Sequence, residues 1–332
     1  MKRHGHLLEQ ILERDNLRLA YLRALRGKRH RPDARLFALD LDANLARLAT
    51  DIADNTIDVG RFHQFVIRDP KERVITAPCF GERVLHHALM NVCEPIFDRW
   101  LIADTYACRV GKGREAAVTR AHQFSQRWPA HLKMDIRKYF DSIPHDRLLA
   151  RLERLFKDPR LLQLFRRIVR AFRDGSGQGL PIGSLTSQHF ANFYLGWFDR
   201  FVKERLRISG YVRYMDDLVV WGRSTTELRS VRDDCLAFLA DELGLTAKPP
   251  FINRSSVGLP FLGCRVLPTH VLLNRRSKVR FRRKLLALEQ AHADGQIDEA
   301  TLQARATALV AFSRSAGAAS WRFRQAVLQD SR

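Results

Sequence analysis

"YVRYMDDLVVWG", residues 211–222, sets two adjacent carboxylates inside a run of strand-forming residues. The flanks, Tyr211, Val212 and Tyr214 on one side and Leu218, Val219, Val220 and Trp221 on the other, are largely aromatic or β-branched. They predict two short strands with Asp216 and Asp217 at a hairpin tip. Like charges this close raise each other's pKa unless something positive lies between them. A hard divalent cation, which takes carboxylate oxygens, would supply that charge. Taken alone, the pair also fits an Asp-rich β-turn.

Outward from the hairpin, a third acid completes a pattern. "AHLKMDIRKYF" (130–140) reads as a short apolar strand ending at Asp135, then a turn and a helix. On its own Asp135 fits a helix cap or a strand-end acid. Together with the hairpin it supplies what two-metal phosphoryl transfer needs. Carboxylates on two neighbouring strands would hold two cations about 3.5–4 Å apart, one activating a 3′-hydroxyl and the other stabilising a pyrophosphate leaving group.

The composition favours a nucleic-acid partner. The 332 residues carry 57 Lys and Arg against 36 Asp and Glu, a net charge of +21, which attracts a polyanion at long range, with nucleic acid the first candidate and an anionic membrane surface the second. No apolar run reaches the roughly 18 residues of a membrane span. "MKRHGHLLEQ" lacks the apolar core of a signal peptide, so a cytoplasmic location is expected. Cys79, Cys93, Cys108, Cys235 and Cys264 are scattered and never in CxxC spacing, which argues against disulfides and zinc and predicts reduced core thiols.

The rest of the chain alternates helices and strands, an α+β pattern. Residues 6–25 predict one amphipathic helix with Leu8, Ile11, Leu12, Leu19 and Leu22 on its apolar side, and a second helix covers about 40–54. Residues 62–77 read as a hairpin turning at Asp69-Pro70, and 82–97 as a helix. A long helix spans 184–206 and another about 225–243, and the chain is mostly helical from 274 onward. His86 and His87 have no metal-ligand partner at useful spacing and read as structural.

"YMDD" with "MDIRKYF" and the downstream "LPFLG" (259–263) resembles the palm of a reverse transcriptase. The resemblance covers about residues 60–270 and implies a right-hand polymerase fold with fingers, palm and a short helical thumb. Its implied division is an N-terminal helical extension (1–60), fingers (61–130), a first palm segment (131–172), a nucleotide-site motif and helix (173–200), a second palm segment with the hairpin (201–270) and a basic thumb (271–332). It assigns two Mg2+ ions, replaceable by Mn2+, to Asp135, Asp216 and Asp217, with the Ile136 backbone lining the site. Phe140, five positions after the first Asp, corresponds to the aromatic gate against a ribose 2′-hydroxyl; alone it reads as a core aromatic.

"GLPIGSLTSQ" (179–188) narrows the resemblance. Group II intron and retron enzymes carry Gln before the second Gly and Ser-Pro at the end of this motif; here Ile182, Gly183 and Ser187-Gln188 stand there. The IGxxxSQ form resembles reverse transcriptases of diversity-generating retroelements, which miscopy template adenines. Ile182 offers only apolar contact where Gln would hydrogen-bond, which can remove about 1 kcal/mol of discrimination. Packing alone would also explain Ile182.

The same resemblance makes Lys71, Arg73 and Arg83 of "DPKERVITAPCFGER" candidate triphosphate ligands, although relatives often carry Asp-Arg where this chain has Glu82-Arg83. It makes Lys248 a candidate proton donor to pyrophosphate, Gln188 a nucleotide-site residue, and Arg109 and Lys112 of "TYACRVGKG" nucleic-acid contacts. Arg275, Arg276, Lys278, Arg280, Arg282, Arg283 and Lys284, seven cations in ten residues, would grip the template and primer backbone. The implied partners are a template-repeat RNA, a cDNA or RNA primer, deoxynucleoside triphosphates and a small basic oligomeric accessory protein. A retron or abortive-infection polymerase would share the Asp triad, although the retron thumb tripeptide Val-Thr-Gly is absent. A catalytically idle RNA-binding protein would share the charge.

Overall fold

The computed structural model describes residues 3–68, 72–172, 177–314, 316–317, 323–325 and 327. The chain forms two compact units that interleave along the sequence. Unit 1 takes Met1–Ile102, Ile136–Asp199 and Leu236–Thr246; unit 2 takes Ala103–Asp135, Arg200–Cys235 and Ala247–Arg332.

Unit 1 is mainly helical. The single helix expected over 6–25 is two, Leu8–Leu12 and Arg14–Leu25, because Glu13 is extended (ψ 133°). That break resets the helical phase. Leu17, Ala20, Tyr21 and Ala24 become the buried stripe of the second helix, and Leu19 and Leu22, expected inside, are 42% and 58% exposed. A helix not expected from the sequence, Pro32–Leu39, starts with Pro at its first turn, where the missing N–H has no helical partner to lose.

Strands β1 (Phe62–Arg68) and β2 (Glu72–Pro78) form the expected antiparallel hairpin; its Asp69-Pro70 turn and Lys71 lie outside the described residues. The helix Phe80–Trp100 follows. The centre of the unit is the helix Leu185–Arg200, buried on nearly every side and packed against Phe97, Trp100 and Phe165. Gly196 permits this approach, since a Cβ there would lie 2.3 Å from the Trp100 ring. The helix stops at Arg200, and a π-helical turn, Phe201–Arg205, takes the place of its expected last turn.

Unit 2 is built on antiparallel sheets. Strands β3 (Ala130–Asp135), β4 (Gly210–Tyr214), β5 (Asp217–Gly222) and β6 (Phe251–Arg254) make one sheet in the order β4-β5-β3-β6. Strands β7 (Leu259–Phe261), β8 (Cys264–Val266) and β9 (Val271–Leu273) make a second. Val212, Val219 and Trp221 from the first sheet, Phe261, Cys264 and Leu273 from the second, and Phe124 from the helix Gly113–Arg127 share one core. Trp221 Nε1 donates to Ser125 Oγ at 3.1 Å, which satisfies the one polar atom of that buried ring.

The basic stretch lies on the helix Arg275–Ala293, whose cap Asn274 accepts from Ser277 N at 2.8 Å. A further helix, Glu299–Arg314, packs on it. Cys93, Cys235 and Cys264 are buried as expected, but Cys79 is half-buried and Cys108 exposed, at a positive φ of 52°. Among the described residues no helix is long and apolar enough to cross a membrane.

Candidate active site

The turn between β4 and β5 is two residues long, Met215 and Asp216, because Tyr214 and Asp217 are the last paired positions. Such a turn needs a positive φ at its first residue to match the strand twist. Met215 supplies it at 54°, a conformation that L residues rarely hold without support from their surroundings. Part of that support is Arg213, fully buried, whose guanidinium donates to the Met215 carbonyl at 3.2 Å. Asp216 therefore stands at the tip, whereas Asp217 is already in the sheet.

Asp217 is the direct partner of Asp135 across β5 and β3. Paired residues share a sheet face, with Cβ atoms about 4.5–5.5 Å apart, so the two carboxylates rise side by side. Each meets a lysine. Lys248 Nζ donates to Asp135 Oδ1 at 2.8 Å, and Lys248 N donates to the Asp135 carbonyl at 2.8 Å. Lys133, two residues before Asp135 and on its face, places Nζ 3.2 Å from Asp217 Oδ1 and donates to the Pro260 carbonyl of β7 at 2.7 Å. Burial pushes the Asp217 carboxyl up to about 6; Lys133 opposes the shift, and Asp135 and Asp216 add to it. Asp217 Oδ1 is buried and accepts no hydrogen bond.

Unit 1 holds the second group of sequence-predicted residues. Gly183 has φ 124°, and a Cβ on it would come within 2.7 Å of Ile75 Cγ2 and 3.1 Å of the Thr76 carbonyl. Only glycine lets the 181–184 loop lie so close to β2. Thr76 N donates to the Ile182 carbonyl at 2.7 Å, lacing the two together. Behind the loop, Ser184 Oγ lies 3.1 Å from His86 Nδ1 and 2.9 Å from Thr186 Oγ1. His86 Nε2 stands 3.5 Å from Glu82 Oε1, and Glu82 Oε2 accepts from Gly60 N at 2.9 Å. Burial holds the His86 ring neutral, down to about 3, and lifts Glu82 to about 7.

Phe140 is half-buried on the short helix Tyr139–Ser142, and its carbonyl accepts from Leu180 N at 2.8 Å, which ties that helix to the segment leading into Gly183. Arg83 Nε donates to the Ala24 carbonyl at 3.1 Å, and Arg83 lines a cavity of about 170 Å³ with Lys28, Arg31 and Gly183. Arg73 and Gln188 are exposed, and Ile136 has a buried side chain that leaves only its backbone to offer a ligand.

In unit 2, Arg109 donates to the Thr105 carbonyl at 2.9 Å, and Lys112 donates to the Ala103 carbonyl at 2.9 Å with its ammonium 5.1 Å from the Tyr106 ring centre. Along the basic helix, Arg275, Arg276, Arg282 and Arg283 are exposed, whereas Lys278 and Arg280 lie over Phe323 and Phe312, and Lys284 is half-buried.

The model of the family described as "Reverse transcriptase (RNA-dependent DNA polymerase)" matches residues 68–266, more than half of the chain. The chain belongs to the reverse transcriptase family. It is 24% identical over 260 residues to protein YkfC of Escherichia coli K12, covering 63% of this chain and 65% of that protein. It is 28% identical over 166 residues to nuclear intron maturase 4, mitochondrial, of Arabidopsis thaliana, covering 48% of this chain and 20% of that one. Among solved structures, a telomerase from Candida tropicalis truncated from its C-terminal domain aligns with a TM-score of 0.48 and 14% identity, over 64% of this chain and 55% of that one. The chain thus spans less than two thirds of the length of these relatives. Its mixed helices and antiparallel sheets are the architecture expected of a right-hand polymerase.

Reverse transcriptase domains generally use divalent metals, and the donor set here is of the right chemistry: three carboxylates from two adjacent strands and their turn. Asp217 Oδ1 is the clearest sign of fit: it is buried, accepts no hydrogen bond and has only the Lys133 ammonium beside it at 3.2 Å, so a hard cation would find an acceptor there. Among the described residues no three His, Cys, Asp or Glu side chains are already gathered to hold an ion. Asp135 and Asp217 lean on Lys248 and Lys133 instead.

Sequence reasoning missed Lys133, Arg213 and the Glu82–His86–Ser184 chain. Lys133 was visible only as the strand residue one alternation before Asp135, and Arg213 only as a cation set inside the hairpin's apolar flank. His86, read as structural, is structural in a specific way, since it braces the loop that carries Ile182 and Gly183.

Proposed function

We propose that this reverse transcriptase family member is an RNA-directed DNA polymerase in which Asp135, Asp216 and Asp217 hold two divalent cations. The observation that carries the reading is the in-register pairing of Asp135 with Asp217 beside a turn that holds Asp216 at its tip. When bound, Mg2+ would favour ionisation of a primer 3′-hydroxyl and offset charge on the leaving pyrophosphate. The chain's own residues do the rest. Lys133 and Lys248 orient the carboxylates, and Lys248, hydrogen-bonded to Asp135, is the proton source for the departing pyrophosphate. Phe140 rejects a ribose 2′-hydroxyl by bulk, which selects deoxynucleotides. Lys71, Arg73 and Arg83 bind the triphosphate, and the basic helix with Arg109 and Lys112 binds template and primer.

Within the family we assign the chain to the diversity-generating class, copying a template-repeat RNA into cDNA altered opposite adenines, with a small basic oligomeric accessory protein, in a bacterial cytoplasm. The IGxxxSQ motif supports this class: Ile182 presents hydrocarbon where Gln would hydrogen-bond. The test is primer extension on a defined RNA with Mg2+ and all four deoxynucleotides, followed by sequencing of the cDNA. Errors concentrated opposite template adenines support the class. Rare errors spread over all four bases leave a reverse transcriptase of the retron or defence type.

A further inference from the structure

A groove of about 530 Å³ opens in unit 2 at the end of the first sheet away from the carboxylates. Arg127, Trp128, Arg223, Ser224, Thr225 and Arg254 are among its lining residues, and no acid lines it. The strand register explains the convergence. Ala130, the first residue of β3, pairs with Arg254 of β6 on one side and Gly222 of β5 on the other, and Arg223 follows Gly222. Two arginines therefore flank the start of β3, and Arg127 arrives from the end of the preceding helix, its guanidinium 5.5 Å from the Trp128 ring centre. Six residues of β3 put this groove about 17 Å from Asp135 along the strand.

None of the three guanidinium groups is paired with a carboxylate among the described residues. The nearby acid Glu227 is occupied elsewhere: its carboxylate accepts from Arg223 N at 2.6 Å, and its own N–H donates to Ser224 Oγ at 3.0 Å. That mutual capping closes the start of the helix Thr225–Asp241, so attraction for an anion comes from the arginines rather than the helix end. Three unpaired planar forks around an open groove edged with hydroxyls match a run of phosphates better than a single small anion.

We infer that this groove is a second nucleic-acid site, binding a phosphodiester backbone at a distance from the carboxylates. The choice of nucleic acid over another polyanion rests on the polymerase reading; the cation cluster does not. The site reads charge and spacing and not base identity, so RNA and DNA bind alike.

The experiment measures binding by the full chain to short single-stranded RNA and to DNA of the same sequence, across a salt series and without deoxynucleotides, so a failure of catalysis cannot be mistaken for a failure of the groove. The variant Arg127→Gln/Arg223→Gln/Arg254→Gln is compared with Arg205→Gln/Arg207→Gln/Arg229→Gln, which removes equal charge from exposed positions outside the groove. The groove variant should lose roughly tenfold in affinity for both nucleic acids, with a salt slope shallower by about 2 to 3, while the comparison variant stays near the parent. Thermal midpoints check that both are folded, as the exposure of the six side chains requires. An equal loss in both variants, no loss in the groove variant, or a loss confined to RNA or to DNA overturns the inference.

Discussion

Asp135 and Asp217 face each other across β3 and β5, and each carboxylate leans on its own lysine, Lys248 at 2.8 Å and Lys133 at 3.2 Å. Two positive charges thus stand against the acids that would receive divalent cations, which sets lysine and cation in competition.

Lys133→Gln removes one competitor and its charge while keeping a polar side chain at the position. Polymerisation should then reach half its maximum at several-fold lower Mg2+, while the maximal rate falls because Asp217 has lost its orienting contact. A magnesium titration of primer extension checks this. A rise in the Mg2+ requirement contradicts the competition.

Gly183→Ala drives a Cβ into Ile75 and the Thr76 carbonyl at a φ of 124°. Both the clash with backbone and the disfavoured dihedral oppose folding, so a loss of about 1–3 kcal/mol in denaturant unfolding is expected. An unchanged midpoint would mean that the loop does not lie against β2.

Ile182→Gln restores a hydrogen-bonding side chain in the nucleotide-site motif. Errors opposite template adenines should fall by roughly fivefold, the worth of about 1 kcal/mol, with errors at other bases little changed. A uniform change across the four bases would assign Ile182 to packing alone.

The pH profile of stability has two opposed sources. Burial holds His86 at about 3 and His87, His131 and His189 at about 4, below the ordinary 6.5. The unfolded chain protonates first, so their contribution is full above 6.5 and is lost as pH falls. Glu82 runs the other way, with a folded value of about 7 against 4.5, so its contribution is full below 4.5 and is lost as pH rises to 7. Glu82→Gln stays neutral throughout. Its stability relative to the parent should climb by an amount on the order of 3 kcal/mol between pH 4.5 and 7 and then level off, as read from melting curves. Parallel curves would show that Glu82 is ionised in the fold.

The hairpin at 211–222 was legible because its flanks are strand formers on both sides of the acids, and β1–β2 because two strand-like runs bracket Asp69-Pro70. What the hairpin pairs with was not legible. Asp135 meets Asp217 only after some eighty intervening residues fold, and nothing local to either strand states that register. The break at Glu13 was hidden for a different reason: the leucines on either side keep near-helical spacing, so the phase change shows only in which of them are buried. Lys133 and Arg213 escaped notice because a lone cation in a strand usually points to water, and here one braces an acid and the other a turn. The order of motifs was enough for the family; the lysines and the brace behind Gly183 come together only through the strand pairing and the close approach of loop to β2.

Whether these acids carry polymerisation is decided by extending a primer on an RNA template with Asp216→Asn beside the parent, with RNA affinity measured on both. Extension should be lost and RNA affinity kept. Extension at the parent rate by Asp216→Asn would contradict that role.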